Sequence, residues 1–275
     1  MHMKPRHRIR RWMRLEILET VKQGRGLEVN TLAALSNLSF DKEHYEDTIF
    51  DLGETVKVTQ CGHEIHFPRP LHRENHRGIL RGYLTGLSAK YQRDGEFEVE
   101  PGDIVVDCGA YVGGFARSVV EIAERVVLIE PAPANYRCCQ LNLAQFDNAT
   151  VLNCGLFNET GVMPLNLSGS DVDHSFITPD QKGTGKTFEV PILRLDDLAK
   201  QQNLPRIDFW KLEAEGVEIE AIQGMGDMLP RKISIDTSPE RMGMSPEKEL
   251  TELLQAKGYD ISTSENALRA RLREG

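Results

Sequence analysis

Gly102-Asp-Ile-Val-Val-Asp107-Cys-Gly109-Ala-Tyr-Val-Gly113-Gly-Phe115 decides the fold of this chain. Ile104, Val105 and Val106 form a β-branched apolar run, the mark of a strand covered on both faces of a parallel sheet. The strand stops at Asp107. Gly109 and Gly113 then bracket a tight turn that feeds a helix, whose first amides point at whatever sits there. The spacing is Asp-x-Gly-x-x-x-Gly rather than the dinucleotide Gly-x-Gly-x-x-Gly, which argues against a nicotinamide cofactor. A second apolar run, Val126-Val-Leu-Ile-Glu130, ends in an acid where open α/β sheets place the carboxylate that receives ribose hydroxyls.

Outward from this unit, strand and helix signals alternate from Pro101 onward, which reads as a doubly wound α/β sheet. Strands are expected at 103–108, 126–130, 150–154, 207–212, 232–236, 259–262 and 267–272. Helices are expected at 113–124, 133–145, 195–202, 217–224 and 246–257. Two apolar runs between Gly161 and Pro191 suggest an inserted hairpin around a polar loop. Leu268, Ala270 and Leu272 alternate with Arg269, Arg271 and Arg273, as in a half-exposed edge strand.

Residues 1–100 read as an N-terminal extension of helices and a small β-hairpin, and residues 101–275 as the main domain. Arg8 to Lys22 has an amphipathic pattern, and Lys4, Arg6, Arg8, Arg10, Arg11 and Arg14 precede the first acid, Glu16. Such a helix either packs on the domain or meets an anionic partner. Thr55 to Gln60 alternates like a strand, with His63 to Phe67 as its partner, and Arg77 to Tyr91 reads as a helix leading toward the glycine loop.

The bulk numbers bound the function. A net charge of −9 and a pI near 5.5 argue against nucleic acid as a partner. No apolar run reaches the roughly 20 residues that span a bilayer. The five cysteines form no CxxC pair and read as free thiols of a reducing, cytoplasmic setting.

A second informative run is Asp208-Phe-Trp-Lys211-Leu-Glu213-Ala-Glu215-Gly-Val-Glu218. Here a strand ends in a lysine and two acids just before a helix. Ligands of such sheets bind beyond the carboxyl ends of the strands, so these side chains should meet the glycine loop. Carboxylates beside a lysine suit acid–base work or metal binding; alternatively the acids only favour a helix start.

Together these segments resemble class I S-adenosylmethionine-dependent methyltransferases, and within them the FkbM family. Pro101-Gly102-Asp103, the Asp107 to Gly113 loop, Glu130-Pro131-Ala-Pro-Ala-Asn135, Leu195-Asp-Asp-Leu198 and Lys211-Leu-Glu-Ala-Glu-Gly-Val-Glu218 stand in the family's order. Glu213 stands where the family usually has Asp, Tyr111 replaces a common Asn, and Asp236 lies near a usual Glu. The resemblance implies a Rossmann-like, mostly parallel seven-stranded sheet that binds S-adenosyl-L-methionine. Asp107, Gly109, Ala110, Tyr111 and Gly113 would wrap the methionine part. Bulk added at Gly109 is expected to fill the space through which that part passes. Glu130 and Pro131 would serve the ribose, and Asn153, Cys154 and Gly155 the adenine.

For the chemistry, Glu213 is the first candidate base, with Glu215, Asp236 and His174 behind it; Lys211 would orient a carboxylate or steady a developing alkoxide. No metal is assigned. The leading expectation is O-methylation of a hydroxyl on a small-molecule or glycan acceptor. N-methylation of an amine or protein side chain, or a non-catalytic cofactor-binding role, are the alternatives. A homodimer is left open.

Overall fold

A computed structural model describes residues 48–60, 63–69, 83–93, 95–168, 174–177, 183–240, 243–264 and 266–273. The basic run at the N-terminus lies outside them. The chain divides into two compact units, residues 1–86 and 87–275. In the first, β1 (Thr48–Asp51), β2 (Thr55–Gln60) and β3 (His63–Pro68) form an antiparallel sheet in that order. Val56 pairs with Phe67 and Val58 with Ile65, and all four are buried.

The second unit begins at Leu87. Tyr91, Phe97 and Val99 belong to its core. Its helices are α1 (Tyr83–Tyr91, within this unit from Leu87), α2 (Gly114–Val119), α3 (Pro133–Leu143), α4 (Leu195–Gln201), α5 (Glu218–Gln223) and α6 (Glu247–Ala256). Its strands are β4 (Ile104–Cys108), β5 (Arg125–Ile129), β6 (Ala149–Leu152), β7 (Gly155–Leu156), β8 (Gly161–Ser168), β9 (Gly183–Leu193), β10 (Phe209–Leu212), β11 (Lys232–Asp236), β12 (Tyr259–Ser264) and β13 (Ala267–Leu272). Seven of them form one sheet in the order β12-β13-β11-β10-β4-β5-β6. The pairs from β6 to β11 are parallel, while β13 runs antiparallel to both β11 and β12. β8 and β9 make the expected hairpin, with β7 added at the β9 edge.

Strand periodicity sends alternate residues to opposite faces. Ile104, Val106, Trp210, Leu212, Ile233 and Ile235 pack with Leu198 of α4, Ile222 of α5 and Leu250 of α6. Val105, Val126, Leu128 and Phe209 pack on the other side with Tyr91, Phe115 of α2 and Leu143 of α3. The sheet is therefore wound on both faces.

One strand departs from its sequence reading. β13 is interior, between β11 and β12, and Ala267 to Ala270 are buried; the edge is β12. Of the alternating arginines, Arg269 reaches the end of α1. Arg269 is 7% exposed, and its guanidinium donates to the Lys90 carbonyl and the Ser264 hydroxyl. Alternation identified which residues share a face, but not that a helix end covers it.

Candidate active site

Strand order reverses between β4 and β10. β5 and β6 lie to one side of β4, while β10 and β11 lie to the other. Such a switch point opens a crevice at the carboxyl ends of the strands. Register sets what stands there: Lys211 is opposite Asp107, and Ser234 is opposite Lys211. Glu213 follows β10, and Asp236 ends β11.

The glycine loop is held from below. The amides of Gly109 and Ala110 donate to the Ile129 carbonyl at 3.0 and 3.1 Å. Gly109 adopts φ +67°, and a Cβ there would collide with the Glu213 carbonyl oxygen. This corrects the expectation of bulk entering ligand space: Gly109 lets the β4 and β10 loops touch. Gly113 faces Leu143 and Leu128, and Gly155 faces the Phe176 ring, so both serve packing. Cys154 is buried, and burial pushes its thiol up to about 12.

Asp107 is fully buried. One carboxylate oxygen accepts from the Ala116 amide in the first turn of α2, at 3.2 Å. The other lies 3.2 Å from Lys211 Nζ. Glu130 takes the Tyr111 amide on Oε2 at 2.8 Å and the Ala132 amide on Oε1 at 2.9 Å. Burial outweighs these donors and raises its carboxyl to about 7. Asn153 donates to the carbonyls of Glu130 and Pro131, both at 2.9 Å, and so fixes the turn after β5.

Five charged groups meet at the switch point. Lys211, 3% exposed, donates to the Gly109 carbonyl at 2.6 Å and the Cys108 carbonyl at 3.2 Å, and lies 3.4 Å from Glu213 Oε2. Lys90 reaches Glu213 Oε1 at 2.6 Å and Asp236 Oδ2 at 2.5 Å. The Tyr91 ring lies under both ammoniums, 5.0 Å from Lys90 and 5.2 Å from Lys211. Asp236 also accepts from the Ser238 amide at 2.7 Å, so both its oxygens are engaged. Burial alone would raise the Glu213 carboxyl, but the Lys211 and Lys90 ammoniums hold it well below the usual carboxylate range. Burial opposes the Lys211 charge, yet Asp107 and Glu213 raise its pKa. Asp107, Glu213 and Asp236 against Lys90 and Lys211 leave one net negative charge.

The loop after β10 has its own brace. Glu218, buried and raised to about 7 by that burial, accepts from the amides of Ala214 at 2.7 Å and Gly216 at 3.3 Å. Ser175 donates to the Glu215 carbonyl at 2.7 Å, which brings the segment carrying His174 against this loop. Among the described residues, four besides glycine have positive φ: Asn203, Asn266, Tyr111 and Glu215. Asparagine tolerates this region; tyrosine and glutamate do so less readily. The two strained residues flank the crevice, where backbone strain tends to collect.

Sequence reasoning missed Lys90, Tyr91, the bracing role of Glu218, and Glu240. Burial and the neighbouring carboxylates of Glu218, Asp236 and Glu213 raise the Glu240 carboxyl. No motif marks Lys90; its only signal was a helix aimed at the glycine loop. Among the described residues, no group of three or more His, Cys, Asp or Glu is arranged to hold a metal ion.

A family model described as the methyltransferase FkbM domain matches residues 107–261. The chain is 28% identical to methyltransferase sdnD of Sordaria araneosa, in a match covering 58% of this chain and 74% of that one. Among solved structures it is similar to the methyltransferase FkbM of Methylobacillus flagellatus KT, with 20% identity and a TM-score of 0.48. That match covers 71% of this chain and spans 52% of the length of the other. It is also similar to the magnesium protoporphyrin IX methyltransferase of Synechocystis PCC 6803 with bound SAM, at 14% identity and a TM-score of 0.43. This second match covers 72% of this chain and 83% of that one.

Proposed function

The chain belongs to the FkbM family of S-adenosylmethionine-dependent methyltransferases, and we propose that it methylates a hydroxyl of a sugar or other natural product. The observation that carries this reading is the Lys211–Glu213 pair, set 3.4 Å apart beside the glycine loop at the switch point.

The residues present fit the cofactor. Glu130 is a buried acid just after β5, and its two oxygens accept the Tyr111 and Ala132 amides. A carboxylate has about four lone-pair sites, so ribose hydroxyls can still donate to it. The net negative charge of the crevice suits a sulfonium. When bound, S-adenosylmethionine supplies an electrophilic methyl group. Asp107 acts at one remove, tying α2 to Lys211. Asn153 and Pro131 shape the ribose turn, and Ala110 and Tyr111 line the loop.

A hydroxyl gains nucleophilicity as its proton leaves. Glu213 stays ionised at neutral pH and accepts that proton. Its two ammonium neighbours make it a weak base, so its contribution belongs at the low end of the usual 10²–10⁴-fold range. Lys211 orients Glu213 through their contact and fixes the loop through the Gly109 carbonyl. Asp236, saturated by Lys90 and Ser238, supports Glu213 rather than taking the proton. His174 stands next in line as a base, on the segment that Ser175 anchors.

The test is Glu213→Gln with labelled S-adenosylmethionine and fractionated acceptor pools. Turnover should fall about 10²-fold while cofactor affinity holds. Near-normal turnover in a folded variant would remove Glu213 as base. A neutral amine needs no such base, so that result would favour N-methylation.

A further inference from the structure

Lys90 stands outside the span matched by the family domain, which begins at residue 107. Its ammonium nevertheless ends in the crevice, between the acids that close β10 and β11. We propose that Lys90 is a positioning residue for methyl transfer: it clamps the Glu213 and Asp236 carboxylates together, so that Glu213 meets the acceptor fixed in place. This inference rests on the methyl-transfer reading above and adds a residue to that site.

Three observations carry it. First, the ammonium bridges two carboxylates from different strands, at 2.6 Å to Glu213 Oε1 and 2.5 Å to Asp236 Oδ2. Charge-assisted bonds between an ammonium and a carboxylate are the strong class. Lys211 takes the other Glu213 oxygen at 3.4 Å, so the carboxylate is held from both sides. Second, the backbone of Lys90 is anchored, unlike that of an ordinary surface lysine. Arg269 donates to its carbonyl at 2.9 Å, and the buried Tyr91 beside it packs edge-on against Phe115, with ring centroids 5.6 Å apart. Third, the Lys90 side chain keeps 36% of its surface exposed, against 3% for Lys211. An ammonium has three N–H donors, and the two carboxylates account for two.

The electrostatics agree. The groups facing Glu213 are Lys211 from β10, Asp107 from β4, Lys90 and Tyr91 from α1, and Asp236 and Glu240 from β11 and the turn after it. Only Lys90 and Lys211 among them are cations. Without Lys90, the carboxylates of Glu213 and Asp236 face each other with Lys211 as the one remaining cation. The Glu213 carboxyl must then rise toward its ordinary range, and its position loosens.

The experiment compares the full-length protein with Lys90→Met and Lys90→Arg. Carboxyl-carbon NMR titration of Glu213, assigned by its loss in Glu213→Gln, reads the clamp without any acceptor. Labelled S-adenosylmethionine with an acceptor extract reads turnover against pH, and calorimetry reads cofactor affinity. We expect Lys90→Met to move the Glu213 titration upward and to shift the acid limb of the rate profile the same way. Its turnover should fall roughly 10²-fold, as expected when a catalytic group is misplaced by about 1 Å. Cofactor affinity should change little, and Lys90→Arg should restore the titration and part of the rate. An unmoved titration overturns the clamp. A moved titration with unchanged turnover overturns the positioning role. Loss of rate that tracks only a lowered melting temperature, with no shift in the acid limb, also overturns it. If the parent protein turns over no acceptor, the methyl-transfer reading fails, while the titration still decides the clamp.

Discussion

Gly109→Ala tests how closely the two loops of the site depend on each other. At φ +67° an alanine enters the left-handed region, which costs roughly 1–2 kcal/mol. Its Cβ would also meet the Glu213 carbonyl oxygen, a backbone atom that no side-chain rotation can move aside. Relieving that overlap means shifting one loop, at a cost of about 1–3 kcal/mol. Together these give roughly 2–5 kcal/mol. For a unit of this size each kcal/mol lowers Tm by about 2–4 °C. Gly102 supplies the control: its φ is +90°, but an added Cβ meets nothing within 4 Å. Gly102→Ala should therefore show only the conformational cost. Urea denaturation of the two variants against the parent measures the difference. Gly109→Ala should also weaken S-adenosylmethionine binding, because the Gly109 carbonyl is the 2.6 Å acceptor of Lys211. Equal destabilisation by the two substitutions would refute the argument that Gly109 is needed for loop contact.

Glu130 predicts a pH dependence. Its folded pKa of about 7 lies above the ordinary 4.5, so the unliganded protein should lose stability as pH rises through that window. The loss is about 3 kcal/mol at 1.36 kcal/mol per unit; Glu218 shares the window, and denaturation of Glu130→Gln should show a flatter slope. Over the same range the affinity of the parent for S-adenosylmethionine should rise with pH and level off above about 7, because ribose hydroxyls donate to the ionised carboxylate; a flat calorimetric profile would contradict this. Lys211→Met removes a buried cation from Asp107 and should destabilise by roughly 3–5 kcal/mol at neutral pH. That penalty should shrink on acidification as Asp107 takes up a proton; a pH-independent penalty would contradict the pairing.

Much of the fold was legible because parallel strands write themselves as apolar runs. Ile104 to Val106, Val126 to Ile129 and Phe209 to Leu212 read as strands, and their terminal acids marked the crevice. What sequence could not supply was register and coverage. That Lys211 sits opposite Asp107 follows from strand pairing, which no local spacing encodes. Arg269 was read onto an exposed edge because its alternation is that of a half-wet strand, yet its guanidinium reaches the end of α1. Lys90 was illegible for the same reason: its partners are more than a hundred residues away in sequence. The glycines were found but not their task, since a tight turn and a close loop contact call for the same residue.

Titration of S-adenosylmethionine into the parent protein and into Glu130→Gln by calorimetry tests the central claim most directly. The parent should bind the cofactor saturably. The substitution should weaken binding by 1.5–3 kcal/mol, about 10- to 150-fold, the worth of hydrogen bonds to a charged group. An absence of binding by the parent, or unchanged affinity in a folded Glu130→Gln protein, would contradict the placement of the cofactor at the β4–β10 switch point.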